Sequence, residues 1–537
     1  MAVGGANLRI HEPREPSFPR RCVMKSRKHR RTWAASARNI LALGLAGAVV
    51  PAFGTNYDGS LDTSLSPLPL DGIPGLLYYV VLRGGNGTGP FDVSDNATAV
   101  AVQTDGKIVV AGFSYNRYLG TDQNACVIER FNADGSVDSG FGSAGRVLQN
   151  FNPSSGRNDC YLTSVTLQGD GKIVVAGNIA DASHGERGLI ERFNADGSFD
   201  VSFAGSGYYV ELNHNTAFAA VKVDPSGPIY AAGHGSGFYP PYTDNDFYFA
   251  VFSATGVRTQ ELTTFFDLGA DKDDRANAMA FESNFGLPKV YLIGNANSAP
   301  YSDQAHHQCA IAAYVFSLNN GAFVPDTAFS GDGQTNFDIL SVTSEGDAYC
   351  RAAVARKGGG VIVGGETYFL SPFAVPAGMA SYYALGEIDG SGAVVTSSIG
   401  RFQQGPVPGI YNGIFGMARE AGGKLLVTGY AGTNDANRQP SDGGVIRFNA
   451  DLSRDTSFGT AGDPGVTILS LDGLGIWAEP QREWTTALAL DNHGRIVLVG
   501  EHSFAFSSLP MFYDWLISRL NTSDVIFRDG LDGVVPD

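Results

Sequence analysis

The sequence has 537 residues, of which 43% are hydrophobic and 17% are charged, and it contains 69 glycines. This balance excludes a disordered chain, which would be poor in hydrophobic residues and rich in charge. The formal net charge is −17, but residues 1–52 hold ten Lys or Arg against two Glu, so residues 53–537 carry 27 basic and 52 acidic side chains, a net charge of −25. Such a body repels nucleic acid and anionic lipid and favours neutral or cationic partners, although the same charge would also serve solubility alone.

The chain begins with the features of an export signal. A basic stretch, residues 24–31, precedes an apolar run, residues 40–50, and small residues that end at Ala52. This order is that of a secretory signal peptide, and the apolar run is too short to span a bilayer. We therefore predict a signal peptide with an extended n-region over residues 1–52, with Met24 as an alternative start. The mature protein is expected to be secreted, periplasmic or on the outer cell surface.

One phrase recurs seven times along the chain. Its clearest copies are TDGKIVVAG at Thr104–Gly112 and GDGKIVVAG at Gly169–Gly177. A phrase that recurs at similar intervals indicates a repeat architecture rather than several unrelated domains. The copies are 56 to 71 residues apart and end at Gly112, Gly177, Gly233, Gly294, Gly365, Gly429 and Gly500.

Each copy has the same internal order of short, β-branched runs. An Asp-Gly turn joins the first two runs as in a hairpin, a variable loop follows, and a turn such as Asn132–Ser136 joins the third run to the fourth. Four antiparallel strands in each copy are typical of a propeller blade. We predict an all-β fold, a seven-bladed β-propeller over residues 97–524, with an open or two-part array as the alternative.

The N-terminal segment, residues 53–96, is expected to close the ring. The seventh copy ends near Asn521 without a clear fourth run, whereas Asp58–Thr63 matches the turn that precedes a fourth strand and Leu76–Val81 follows as a suitable strand. A strand donated to the last blade would remove exposed sheet edges. Residues 525–537 are assigned to a C-terminal tail.

The repeat resembles the delta-60 repeat family of bacterial exported proteins. The resemblance covers nearly all of residues 56–524 and is close in copies one, two and six, where the sequence Arg-Phe-Asn-Ala-Asp begins at Arg130, Arg192 and Arg447. Copies three to five depart from this motif. The resemblance implies a β-propeller-like fold and no catalytic activity, because that family is defined by its repeat and not by a reaction.

Four cysteines follow the predicted signal, and in an exported chain they suggest two disulfides. In the repeat frame Cys126 opens the third strand of copy one, Cys160 opens the first strand of copy two, and Cys309 and Cys350 hold similar places in copies four and five. We predict the pairs Cys126–Cys160 and Cys309–Cys350, each joining one blade to the next. The alternative is a metal site, because His306 and His307 lie near Cys309, although the sequence has no Cys-x-x-Cys.

Binding is expected on one face of the propeller. The loops between the second and third strands are long and differ in every copy, and variable loops on a rigid scaffold commonly carry function. These loops are rich in amphipathic aromatic residues, which suit sugars or peptides, although loops that have drifted and pack on themselves are the alternative. The candidate ligand-binding residues are Tyr115, Tyr118, Phe238, Tyr239, Tyr242, Tyr301, Tyr368, Phe369, Phe504 and Phe506.

The turn around Gly135 is a candidate calcium site. Asn132, Asp134 and Asp138 alternate oxygen-bearing side chains around this glycine, as Ca²⁺ ligands do. However, Asn and Asp also stabilise turns by bonding their own backbone. We expect no other cofactor and no other metal.

The sequence assigns no catalytic residue. It contains no Gly-x-Ser-x-Gly elbow, no His-Glu-x-x-His and no Walker loop. The first hypothesis is a non-enzymatic, exported propeller that binds a glycan, peptide or protein through its long loops. The alternative is a hydrolase or lyase that acts on extracellular polysaccharide, and a third hypothesis is a calcium-stabilised structural module. We expect a monomer with no nucleic-acid partner and no transmembrane span.

Overall fold

The repeated hairpins of the sequence form β-strands in the computed structural model. The predicted signal peptide and the C-terminal tail lie outside the described residues and stay predictions. Among the described residues, no helix is long and apolar enough to cross a membrane. The structure describes residues 60–62, 64–65, 76–79, 93–116, 124–149, 158–181, 185–236, 244–266, 268, 273–284, 287–297, 307–337, 347–371, 378–402, 411–432, 441–460, 463–469, 482–504 and 512–521.

The strands form seven consecutive, antiparallel blades, as predicted. The first strand, β1 (Leu76–Tyr79), belongs to blade seven; blade one contains β2 (Val93–Val102), β3 (Ile108–Asn116), β4 (Asn124–Phe131) and β5 (Arg146–Gln149); and blade two contains β6 (Asn158–Leu167), β7 (Ile173–Asp181), β8 (Gly185–Phe193) and β9 (Tyr208–Val210). Blade three contains β10 (Asn215–Val223), β11 (Ile229–Ser236), β12 (Asn245–Phe252) and β13 (Arg258–Thr264), and blade four contains β14 (Arg275–Asn284), β15 (Leu287–Asn297) and β16 (His307–Ser317), with β17 (Ala322–Pro325) and β18 (Gln334–Phe337) both paired to β16. Blade five contains β19 (Asp347–Ala355), β20 (Gly360–Ser371), β21 (Gly378–Asp389) and β22 (Val394–Gly400); blade six contains β23 (Tyr411–Arg419), β24 (Leu425–Gly432), β25 (Ser441–Phe448), the small hairpin β26 (Gly459–Thr460) and β27 (Asp463–Pro464), and β28 (Val466–Leu469); and blade seven contains β29 (Arg482–Leu490), β30 (Ile496–Phe504) and β31 (Phe512–Leu520).

The last glycine of the repeated phrase permits a close approach between two strands. In blade one the register between β2 and β3 shifts by one residue between Ala97 and Ala99, opposite Gly112, and the first two strands of every other blade contain the same bulge. A Cβ atom added to Gly112 would lie 1.9 Å from the carbonyl oxygen of Asn96, and at the other six repeat glycines the corresponding distance is 1.7 to 1.9 Å. Only glycine fits there, which explains why this residue marks every copy.

The bulged residue joins each blade to the next where its side chain can donate a hydrogen bond. In blade one the Oγ1 atom of Thr98 donates to the carbonyl oxygen of Leu162 in blade two, at 2.6 Å. Thr163 makes the same bond to Phe218 in blade three, at 2.7 Å. Asn277 of blade four donates to the carbonyl oxygen of Cys350 in blade five, at 2.8 Å. The first strands of adjacent blades contact one another all the way round, which forms a closed ring.

The N-terminal strand closes the ring as predicted. Strand β1 pairs antiparallel with β31, so Leu76 lies opposite Ser518 and Tyr79 lies opposite Trp515. Blade seven therefore takes three strands from the C-terminal end of the propeller and its fourth from the N-terminal segment. An open array is wrong, because both ends of the repeat lie in one sheet.

An arginine of the repeat binds an aspartate eight residues later. In blade one the Nε atom of Arg130 donates to Asp138 at 2.8 Å, and its guanidinium lies 4.6 Å from the ring centre of Phe141. The same guanidinium also donates to the carbonyl oxygen of Ala195 in blade two. Blades two and six repeat the ion pair and the ring contact with Arg192, Asp200 and Phe203, and with Arg447, Asp455 and Phe458.

In blade seven the aspartate of this motif comes from the N-terminal segment. Arg519 donates to Asp62 at 2.7 Å and to the carbonyl oxygen of Ala133, in blade one, at 2.6 Å. Leu65 is fully buried and stands three residues after Asp62, as Phe141 stands three residues after Asp138. The predicted match of residues 58–63 to the repeat turn is therefore confirmed at Asp62.

Both predicted disulfides are present, and both lie between adjacent blades. Cys126 of β4 is bonded to Cys160 of β6, and Cys309 of β16 is bonded to Cys350 of β19. All four cysteines lie in hydrophobic clusters shared by the two blades they join. The core of the molecule thus consists of layers between blades, and the disulfides cross two of these layers.

Candidate binding site at the long-loop end of blades five to seven

The long loops leave the propeller where second strands end and third strands begin. In blade five, β20 ends at Ser371 and β21 begins at Gly378, and in blade six, β24 ends at Gly432 and β25 begins at Ser441. The connecting residues lie outside the described part. We call this end of the blades the long-loop face. The side chains described below belong to the strands beneath it, which we call its floor.

One position on this floor changes its chemistry from blade to blade. It is the residue directly after each repeat glycine, held at an equivalent place by the conserved bulge. Because the backbone is the same in every blade, the side chain alone decides what each blade presents. The seven residues are Phe113, Asn178, His234, Asn295, Glu366, Tyr430 and Glu501. Sequence analysis missed this set, although the diversity beside an unvarying glycine was visible in the alignment of copies.

Glu366 is held by an arginine at the bulge of blade five. Arg351 stands where other blades have Thr98 or Asn277, and its Nε and NH2 atoms lie 2.9 Å and 2.5 Å from Oε1 of Glu366. The carboxylate is buried, whereas about a third of the arginine side chain remains exposed. Burial lowers the pKa of Arg351, but Glu366 outweighs this effect and raises it, so the guanidinium stays charged.

Tyr430 of the next blade completes the coordination of Glu366. Its hydroxyl donates to Oε2 of Glu366 at 2.8 Å. A Cβ atom added to Gly413 would lie 2.7 Å from Cε1 of Tyr430 and 2.8 Å from that same carboxylate oxygen. The equivalent first-strand position is Tyr349 in blade five and Trp484 in blade seven. The absent side chain at position 413 therefore makes room for the contact between blades five and six.

Tyr368 joins the same group. Burial, followed by the charge of Glu366 and by Tyr430, raises the pKa of Tyr368 above its ordinary value, and burial followed by Glu366 does the same to the pKa of Tyr430. Both hydroxyls are therefore neutral hydrogen-bond donors at physiological pH. Tyr368 also packs edge-on against Tyr349, with 5.7 Å between the ring centres.

Aromatic rings extend from this ion pair across three blades. The guanidinium of Arg351 lies 5.5 Å from the ring centre of Tyr349 and 5.3 Å from that of Phe415. Phe415 stacks on Tyr430 at 5.5 Å, and Tyr430 lies 6.0 Å from Trp484. Trp484 is 36% exposed. We call this group the Arg351 cluster and define it by Tyr349, Arg351, Glu366, Tyr368, Phe415, Tyr430 and Trp484.

Glu501 lies at the blade-seven end of the cluster. In the sheet it is the direct neighbour of Trp484 on one side and of the buried Trp515 on the other. Burial raises the pKa of Glu501 to about 7. Its carboxyl group can therefore exchange a proton near neutral pH.

A second charged group lies on the same face in blades two to four. Burial, together with Asp244 and Asp273, raises the pKa of Asp246 to about 7. His234 Nε2 lies 3.4 Å from Oε2 of Glu186 in the adjacent blade. This sector carries mainly carboxylates, whereas the Arg351 cluster combines one matched ion pair with aromatic faces.

The structure brings one predicted ligand-binding residue into the cluster. This residue is Tyr368, whereas Tyr115 lies at the end of β3 in blade one. Phe369 and Phe504 lie in β20 and β30, and their side chains are not among those described. The other predicted residues lie outside the described residues and stay predictions: Tyr118, Phe238, Tyr239, Tyr242, Tyr301 and Phe506.

The candidate calcium ligands make turn contacts. Asp134 Oδ1 accepts hydrogen bonds from the backbone N–H and the hydroxyl of Ser136, at 2.9 Å and 2.6 Å. Asp138 binds Arg130 and lies 3.1 Å from Nζ of Lys107. Within the described ranges, no group of three or more His, Cys, Asp or Glu is arranged to hold a metal ion. These contacts favour the turn role, and calcium binding stays a prediction.

Three copies of the repeat match a known family model. Residues 103–141, 168–203 and 423–458 match the domain of unknown function (DUF5122) beta-propeller. These segments cover copies one, two and six, where the repeat motif is best preserved. They support a β-propeller repeat family, and the narrower resemblance to delta-60 repeats stays a prediction. No curated protein matches the sequence significantly.

Solved structures with a similar arrangement are distant in sequence. A protein of unknown function from Dyadobacter fermentans is 12% identical, with 67% of this chain and 94% of that chain covered and a TM-score of 0.37. The β-propeller domain of the trilobed protease from Pyrococcus furiosus is 10% identical, with 80% and 98% covered and a TM-score of 0.34. An ulvan lyase bound to a -[GlcA(1-4)Rha3S]- ligand is 9% identical, with 80% and 83% covered and a TM-score of 0.30.

Proposed function

We propose that this chain is an exported β-propeller that binds a glycan through the Arg351 cluster. One observation carries the proposal: Trp484, Tyr430 and Phe415 form a continuous aromatic series on the long-loop face, next to an ion pair to which Tyr430 is hydrogen-bonded. Aromatic residues with polar tips suit ligands that have both apolar faces and hydroxyl groups. A sugar ring is such a ligand.

The cluster is built to hold its shape without a ligand. Glu366 is bound by Arg351 from its own blade and by Tyr430 from the next, so the two blades fix one another's side chains. A preformed site loses little conformational entropy when it binds. The exposed part of Arg351 adds N–H donors beside the aromatic faces, as hydroxyl recognition requires.

Export is part of the proposal. The two disulfides suit an oxidising compartment, since disulfides are rare in proteins of the reducing cytosol. The basic, apolar and small-residue order of residues 24–52 suits a cleaved signal. The resemblance of the repeat to the delta-60 repeats of bacterial exported proteins supports export as well. We expect the exported protein to be a monomer.

A glycan array tests the proposal. The exported chain, Trp484→Ala and Tyr208→Ala are applied to the same array, because Tyr208 is also 36% exposed but lies on the outer strand of blade two. We expect binding to at least one glycan class, at least tenfold weaker for Trp484→Ala and unchanged for Tyr208→Ala. No glycan binding, or binding that is indifferent to Trp484, would contradict the proposal and leave a peptide or protein ligand in its place.

One observation favours a polysaccharide hydrolase as the second candidate. Glu501 has a pKa near 7 and flanks Trp484, while Glu366 is ion-paired at the other end of the aromatic series. Two carboxyl groups in different environments can divide acid and base roles between them. Glu501→Gln should then abolish hydrolysis of a neutral glycan found on the array while leaving binding of that glycan intact. If the wild-type protein releases no reducing ends from that glycan, this candidate is excluded.

A further inference from the structure

Resting on the proposed function, we propose that the bound glycan carries free amino groups and that an ammonium group lies over Trp484, beside the carboxyl group of Glu501. The ligand class is thus an amino sugar without N-acetylation. Trp484 and Glu501 are direct neighbours on β29 and β30, so one group can meet the indole face and the carboxyl group together. An indole face with an adjacent carboxylate is a favourable environment for an ammonium ion.

The glutamate at the same repeat position in blade five has a cationic partner. Glu366 follows its repeat glycine as Glu501 does, and it is paired with Arg351. Glu501 makes no ion pair with any described residue, and its carboxyl group is half-buried between two tryptophans. A ligand cation would supply the charge that Arg351 provides to Glu366 in blade five.

The positive charge of Arg351 does not make the site attractive to an anionic ligand. Its guanidinium is bound through two nitrogen atoms to Glu366, so the pair presents no net charge to the ligand. The wider electrostatic field has the opposite sign, because residues 53–537 carry a net charge of −25. Asp244, Asp246 and Asp273 lie on the same face in blades three and four. A negative field raises the local concentration of cationic ligands and lowers that of anionic ones.

Two oligosaccharides with the same backbone test the inference. One is β-1,4-linked glucosamine tetramer with each nitrogen trimethylated, whose charge does not titrate, and the other is the neutral N-acetyl tetramer. Binding of each to the exported chain is measured by calorimetry at pH 8, where Glu501 is ionised in the free protein. We expect about tenfold tighter binding of the charged tetramer, the size of a cation–π contact with a nearby carboxylate.

Two variants locate the preference. Glu501→Gln should bind both tetramers equally, whereas Glu186→Gln, which removes one negative charge from the same face in blade two, should keep the preference. If both variants lost the preference for the charged tetramer to the same extent, the preference would come from the long-range electrostatic field of the protein, and the inference would be overturned. If neutral glycans bind through Trp484 as tightly as charged ones, the amino-sugar inference is overturned and the proposed function stands. If no glycan binds, the inference and the proposed function are both overturned.

Discussion

The Oγ1 atom of Thr486, in blade seven, donates a 2.6 Å hydrogen bond to the carbonyl oxygen of Ala97, in blade one. This is the same contact that Thr98 makes to blade two and Thr163 makes to blade three. The junction that closes the ring is therefore built like the junctions between consecutive blades. The only difference is that its two residues are 389 positions apart in the chain.

Thr486→Val should destabilise the protein as much as the same change at an internal junction. Each substitution removes one part-buried hydrogen bond to a carbonyl oxygen of the next blade, at a cost of about 1 kcal/mol. Urea unfolding of Thr486→Val and Thr163→Val measures both costs. A cost at Thr163 without one at Thr486 would contradict a closed ring in solution.

Asp62→Ala should destabilise the closing junction strongly. Asp62 accepts hydrogen bonds from Arg519 at 2.7 Å and Arg495 at 2.8 Å, and its removal takes away the carboxylate that is bonded to the buried Arg519. Breaking such a pair costs about 3 kcal/mol or more. Asp134→Ala, in an exposed turn of blade one, is the control and should cost less than about 1 kcal/mol. Equal effects of the two substitutions would contradict this role of residues 60–65.

The same aspartate should make stability sensitive to acid. Burial raises the pKa of Asp62, but the bonds from Ser64 and the charges of Arg519 and Arg495 outweigh this effect and lower the pKa below 3.8. A lowered pKa contributes stability that is present above the ordinary value and is lost as pH falls through the folded-state value. The stability difference between wild type and Asp62→Asn should therefore shrink below about pH 4. A difference that is constant down to pH 2 would contradict the ion pair.

Glu191 should destabilise the protein as pH rises. Its carboxyl group is fully buried in blade two without a hydrogen-bond partner among the described residues, and burial raises its pKa to about 8. The equivalent Glu129 in blade one faces Arg146 across the sheet, whereas Glu191 faces Tyr208. With a raised pKa, the stability contribution is complete below the unfolded-state value near 4.5 and is lost as pH rises to about 8.

Two substitutions check this effect. Glu191→Gln should become more stable than wild type by a few kcal/mol between pH 4.5 and 8, and the two should converge at pH 4. Tyr208→Arg, which copies the arrangement of blade one, should stabilise the protein at pH 8. Denaturant unfolding at both pH values gives the result. Wild type and Glu191→Gln with parallel pH profiles would contradict the buried, unpaired carboxyl group.

Gly413→Ala should disrupt the candidate site without unfolding the propeller. The added Cβ atom would overlap Tyr430 and the Glu366 carboxylate, and moving Tyr430 breaks the aromatic series towards Trp484. We expect glycan binding to weaken at least tenfold with little change in the thermal midpoint. Gly169→Ala is the control, since a Cβ atom there meets no neighbour within 4 Å. Unchanged glycan binding by Gly413→Ala would show that the Arg351 cluster is not the binding site.

Local sequence signals predicted the fold because each is repeated and physically specific. The Asp105-Gly106 turn requires the positive φ of 84° that glycine adopts, and the turn recurs in the other copies in modified form. Cys126 and Cys160 occupy fixed places in the repeat, so their pairing followed from the blade order. The match of residues 58–63 to the repeat turn likewise predicted which segment completes blade seven.

The candidate site was not predictable by the same means. Arg351, Glu366 and Tyr430 lie in strands that otherwise follow the repeat, and Arg351 is 79 positions from Tyr430 in the sequence. Only the stacking of blade five on blade six brings them together. The prediction from loop aromatics included Tyr368, which lies three residues before the end of its strand. It missed the residues on the floor beneath the loops.

Residues 60–62, 64 and 65 come first in the propeller sequence, but Asp62 and Ser64 bind Arg519 near its end. The position of this segment in the chain is therefore independent of its place in the ring. The segment acts as a piece of the seventh repeat that happens to be encoded first. A circular permutant that carries residues 58–81 after residue 521 would present every blade in uninterrupted order, with the same neighbours in space. In the natural arrangement, by contrast, the seventh blade is complete only once the two ends of the propeller sequence have met.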